Sequence, residues 1–104
     1  MAPTHIIKQL NTEEYKQLIK NIQISPHAKF RIDEGQRKVY KDEYLIETLE
    51  KEQPELAGIQ ENGRYAAFFR RKEGYLRIIF TATPEKTEIV TFFITENIPK
   101  NGTS

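Results

Sequence analysis

The sequence predicts an α+β fold: two to three N-terminal helices packed on one face of a four-stranded antiparallel sheet. Three observations carry this expectation. Apolar residues recur at helical spacing as far as about Glu52 and at alternate positions after Pro54. Turn chemistry at Asn62-Gly63, Gly74 and Pro84 cuts the second half into four short segments. The connections between those segments are short, so neighbours in sequence pair antiparallel.

The elements follow in order. Thr4 to Leu10 reads as a short strand or an extended lead-in. Thr12 is a candidate N-cap for a helix to about Asn21, with Tyr15, Leu18, Ile19 and Ile22 on its apolar stripe. Ser25 is a candidate N-cap for a second helix, because its hydroxyl can accept a first-turn N–H. Pro26 then stands at the first helical position, where its missing N–H costs nothing. That helix is expected to stop near Gly35. A third runs from about Lys41 to Glu52, with Tyr44, Leu45, Ile46 and Leu49 facing inward and Pro54 just past its end.

Four strands follow: Leu56 to Gln60, Arg64 to Arg71, Tyr75 to Ala82 and Thr87 to Thr95. Alternation assigns their faces. Leu76, Ile78 and Phe80, with Val90, Phe92 and Ile94, are expected under the helices. Tyr75, Arg77, Ile79 and Thr81, with Ile89, Thr91 and Phe93, are expected on the other face. That mixture of cations, phenol and apolar groups suits a binding surface, or else a bent sheet, a loop or the C-terminal tail covers Ile79 and Phe93. The 104 residues form a single domain whose ends, about 1–3 and 100–104, are expected to fray.

Composition removes several function classes. The chain has no cysteine, so disulfides, thiolate nucleophiles and Cys-based metal sites are excluded. Its two histidines stand in no HExxH or HxH pattern, and its five glycines are scattered, so no metal site and no cofactor are expected. No apolar run approaches membrane-spanning length or resembles a leader, so a cytoplasmic location is expected and no membrane partner.

Net charge is +1, but it is unevenly spread. From Val39 to Glu61 the balance is −5, and from Asn62 to Phe80 it is +4. Four of the six arginines (Arg64, Arg70, Arg71 and Arg77) lie in the second window, interleaved with Tyr65, Phe68, Phe69 and Tyr75. Cations among aromatics can hold a nucleic-acid backbone and stack its bases. Equally, arginines so placed can neutralise the acidic helix before them. His27 and Arg31, four residues apart, share one helix face. A neutral imidazole beside a guanidinium can act as a general base next to a phosphate clamp, or can simply secure the helix.

The stretch "IQISPHAKFRI" resembles the "S-x-H-A-x-x-R-hydrophobic" opening of a small prokaryotic domain family related to the RelE/ParE toxin superfamily. The acidic helix ending at Pro54, then "ENGRYAAFFR", then "GYLRIIFTATPEKTEIVTFFIT" follow in the family's order. The resemblance spans about Gln23 to Thr95. It implies a RelE-like fold. For ribosome-dependent members it implies metal-independent mRNA cleavage by attack of a ribose 2′-hydroxyl on the adjacent phosphate. It implies the catalytic set His27, Arg31 and Arg77, with Arg77 matching the family's strand arginine. Arg64 or Arg70 would match the arginine of the preceding strand; Tyr75 is only a neighbour in the pattern, and as an aromatic among these cations it is a candidate stacking platform for a nucleotide. The implied partners are RNA or the ribosome, and a cognate antitoxin protein. The chain departs from RelE-type nucleases at its end, "FFITENIPKNGTS", which lacks their Tyr, His or Arg. ParE-like relatives keep the fold and bind a protein target, so a non-catalytic protein-binding module is the alternative expectation.

Overall fold

A computed structural model of the chain describes residues 5–26, 41–72 and 74–97. Its elements are β1 (Ile6–Gln9), α1 (Thr12–Leu18), β2 (Ile22–Ile24), α2 (Asp42–Lys51), β3 (Leu56–Gln60), β4 (Tyr65–Arg71), β5 (Gly74–Ala82) and β6 (Thr87–Thr95). They form one six-stranded sheet in the order β1-β3-β4-β5-β6-β2. All neighbours are antiparallel except β2 and β6, which are parallel.

This corrects the expected four-stranded sheet with two to three helices. The sheet has six strands, and the described residues contain two helices. The meander β3–β4–β5–β6 forms its middle, and one N-terminal strand is added at each edge. The helix expected from Pro26 to Gly35 lies outside the described residues beyond its first position. So do the chain ends expected to fray.

The extra strands have visible causes. Helix α1 is capped by Asn11 and not by Thr12: the Asn11 side chain accepts from the Glu14 N–H while Glu14 reaches back to the Asn11 N–H. The helix then ends at Leu18, because the chain beyond it is claimed by Thr87. The Thr87 hydroxyl donates to the Leu18 carbonyl at 2.7 Å, and its N–H donates to the Lys20 carbonyl at 2.8 Å. Asn21 turns the chain with φ of 44°, and its side-chain amide donates to the Glu85 carbonyl at 2.8 Å. Ile22 therefore leaves the predicted helical stripe and pairs with Thr87 in β2. Thr87 itself is fully buried with its polar atoms satisfied.

Both faces of the sheet carry a buried apolar layer. On the helix face, Tyr15, Leu45 and Leu49 pack with Ala57, Ala67, Phe69, Leu76, Ile78, Phe80, Ile89 and Phe92. The Tyr15 hydroxyl joins α1 to α2 by donating to the Leu49 carbonyl at 2.8 Å. On the far face, Ile6, Leu56, Ala66, Phe68, Ile79 and Val90 form a second cluster, with Tyr75 and Phe93 against it. The open mixed face expected from alternation is therefore closed through its centre.

Alternation also fails locally in β6. The register shifts between Ile79 and Phe80, so Phe80 opposes Ile89 while Ile79 opposes Thr91. One extra residue in β6 sends Ile89 to the helix face and Val90 to the far face, the reverse of the expected assignment.

A basic and aromatic margin on the far face of the sheet

Parity along the strands gathers several of the expected site residues on the far face. On β4, Ala66 and Phe68 face that side, and Arg70 follows in step. On β5, Tyr75 and Arg77 do the same, with Ile79 beyond them. The register then sets two rows across the strands. One row pairs Arg70 with Tyr75 and Tyr75 with Thr95. The next pairs Phe68 with Arg77 and Arg77 with Phe93.

The first row lies at the margin of the face. Arg70 is exposed and Tyr75 is half-buried. The Arg70 guanidinium carbon stands 5.8 Å from the centre of the Tyr75 ring, within cation–π range. Lys72 is exposed in the turn between them. A cation resting on a phenol face, both reachable from solvent, can pair with a phosphate and stack a base.

The second row is built differently. Arg77 is only 4% exposed. Its guanidinium carbon lies 4.9 Å from the Phe68 ring centre and 5.4 Å from that of Phe93. Its Nη2 donates to Gln60 Oε1 at 2.6 Å. Burial pushes its pKa down from the ordinary arginine value, since desolvation disfavours the cation. The strand arginine singled out by resemblance thus sits inside the far-face layer, one register step behind the exposed pair.

Arg64 precedes β4, is half-buried and stands six residues from Arg70, about 20 Å along the strand. It lies at the opposite end of β4 and does not join the Arg70–Tyr75 pair. His27 and Arg31 lie outside the described residues. The chain that leads to them is placed, however. The Ser25 N–H donates to the Ile89 carbonyl at 2.9 Å, so Ser25 continues the pairing of the edge strand β2 with β6.

Of the two further polar groups at this site, Gln60 was not singled out in the sequence, and Arg71 was named there only among the clustered arginines. Gln60 is 2% exposed and holds Arg77 while its amide nitrogen donates to Asn62. Arg71, the neighbour of Arg70, faces the helices and forms a 2.8 Å ion pair with Glu52. Both partnerships cross between elements, so no local spacing announces them. Arg71 thus neutralises a carboxylate at the end of the acidic helix. Among the described residues, no cluster of three His, Cys, Asp or Glu side chains is arranged to hold a metal ion, and no helix is long and apolar enough to cross a membrane.

In comparisons with known proteins, no family model, no curated protein and no solved structure matches this chain, so the resemblance to the RelE/ParE superfamily rests on the quoted residues alone.

Proposed function

We propose that the chain is a toxin-type RNA-binding domain that engages single-stranded RNA through Arg70 and Tyr75. The supporting observation is the cross-strand pair itself: an exposed guanidinium 5.8 Å above a half-buried phenol ring, at the margin of the face away from the helices. The guanidinium supplies a phosphate contact, and together with the phenol beneath it offers a base a surface to stack on. Lys72 adds a second exposed cation at the same hairpin end. Arg64, at the other end of β4, is a separate cation. In the cleaving form of this proposal, His27 accepts the 2′-hydroxyl proton, and Arg31 and Arg77 hold the phosphate. The burial of Arg77 sets a condition on that form: its guanidinium must leave Gln60 when the phosphate arrives.

One observation favours the second reading, a non-catalytic module that binds a protein such as an antitoxin. Arg77 is already engaged by Gln60 and two rings, which suits a structural arginine more than a displayed one.

The test is a titration of the purified chain against a labelled single-stranded RNA between 50 and 200 mM salt, roughly the range over which phosphate contacts weaken binding measurably. The expected affinity falls with salt. Arg70→Gln lowers the slope of log affinity against log salt by about 0.7, one single-strand phosphate. Tyr75→Ala weakens binding by about 1–3 kcal/mol without changing that slope. Growth arrest on expression, relieved by His27→Ala, is the expected sign of the cleaving form. A chain that shows no RNA affinity at the lowest salt is not an RNA-binding domain.

A further inference from the structure

The pair proposed to meet RNA sits at the turn end of the β4–β5 hairpin, beyond Phe68, the last β4 residue paired with β3. The last paired residues are Arg71 and Gly74, and glycine offers no side chain to pack across the strands. Something else must hold the Arg70 peptide in place if Arg70 is to stay over Tyr75.

Arg71 is arranged to do this from the opposite face. Its Nε donates to the Tyr44 hydroxyl at 2.7 Å. Its Nη1 donates to Glu52 Oε1 at 3.0 Å and to the Arg70 carbonyl at 2.7 Å. Its Nη2 donates to Glu52 Oε2 at 2.8 Å, and the Tyr44 ring centre lies 5.5 Å from the guanidinium carbon. Tyr44 belongs to α2, and Glu52 directly follows it. The Glu52 N–H donates to the Thr48 carbonyl, so the main chain that carries this carboxylate is anchored to the helix end. The guanidinium therefore links the C-terminal end of α2 to the carbonyl of the residue that contacts Tyr75.

We propose that Arg71 and Glu52 are positioning residues that fix the geometry of the Arg70–Tyr75 pair, and so support the RNA-binding proposal above. Adjacent strand residues point to opposite faces but share one peptide plane. Holding the Arg70 carbonyl from the helix face sets the direction in which the Arg70 side chain leaves on the other. These four bonds, two of them bidentate to one carboxylate, need a planar fork with more donors than the three of a lysine ammonium. The balance of forces at Arg71 agrees. Desolvation lowers its pKa, but the hydrogen bonds to Glu52 and Tyr44 outweigh that and raise it.

The experiment uses the full chain, with Glu52→Gln and Arg71→Lys as variants. Two properties are read: the ring resonances of Tyr75 with amide exchange through the hairpin, and the RNA titration with its salt slope. Both variants are expected to shift the Tyr75 resonances and to speed hairpin amide exchange by about tenfold, a local opening with the rest of the sheet unchanged. RNA affinity is expected to fall about three- to tenfold at an unchanged salt slope, because no phosphate contact is lost. Unmoved Tyr75 resonances and unmoved exchange in Glu52→Gln overturn the proposal. So does a salt slope reduced as in Arg70→Gln, which would make Arg71 a direct phosphate contact. If the wild-type chain binds no RNA, the RNA proposal fails by itself, and the resonance measurements still decide whether the clamp sets the pair.

Discussion

Arg77 is a charged residue held inside an apolar layer, and its energetics follow from what it leaves behind when removed. Arg77→Met keeps much of the volume between Phe68 and Phe93 but strips the donor from the buried Gln60 carbonyl oxygen. The expected cost is about 1–3 kcal/mol, read from the urea midpoint. Adding Gln60→Leu removes the orphaned acceptor and is expected to recover most of that loss. Equal midpoints for Arg77→Met and wild type would mean the pair contributes nothing to stability.

Tyr15 gives a second prediction at this scale. Burial first, and the Glu52 charge second, raise its pKa above the ordinary 10.0. The folded state therefore holds this proton where the unfolded chain has released it. Its contribution is fully present below pH 10 and is lost as pH rises through the folded value. Stability is expected to fall above pH 10 with a limiting slope of about 1.4 kcal/mol per pH unit. In Tyr15→Phe that alkaline limb flattens, at a cost near neutrality of about 1 kcal/mol for the lost bond to Leu49. Denaturant titrations from pH 8 to pH 11.5, a range of roughly that span, check both effects.

Among the elements, β1 depends on one glycine. A Cβ at Gly58 would press into Ile6 and come within 2.7 Å of the Lys8 carbonyl oxygen. Gly58→Ala is therefore expected to push β1 off β3 and cost about 1–3 kcal/mol. Hydrogen exchange at Leu10, whose N–H donates to the Ala57 carbonyl, reports this directly. Protection there equal to wild type would show that the backbone shifts without losing the strand. The same edge is blunted against outside strands, since the β1 register shifts between Ile6 and Lys8 and both Lys8 and Gln9 are exposed.

For the whole molecule, the two apolar clusters share one sheet: Ala66 and Ala67, neighbours on β4, belong to opposite clusters and are both fully buried. Neither layer can be lost while the other keeps its strands. Heat or urea is expected to unfold the chain in one transition, coincident by far-ultraviolet dichroism and by tyrosine fluorescence. Two separated transitions would mean that the edge strands and helices melt apart from the meander. The charge imbalance also resolves at this scale. The acidic stretch around α2 and the basic stretch of β4 meet at Glu52 and Arg71, which leaves Arg70 and Lys72 as the exposed cations of that hairpin.

Local chemistry in the chain specified the meander. Alternation placed β6 at Thr87 to Thr95, and the turn residues at Asn62-Gly63, Gly74 and Pro84 set the hairpins around it, because strand period and turn preference are properties of neighbouring residues. Four features needed partners far away in sequence. Ile22 became a strand residue through Thr87, Val90 changed face through a bulge, Arg71 was taken by Glu52, and Arg77 was drawn inside by Gln60. Parity put Tyr75 and Arg77 on one face, and the register of β4 against β5 brought Arg70 to the same face. Which of them meets solvent was decided by burial, a property of the packed sheet that no short window of residues contains.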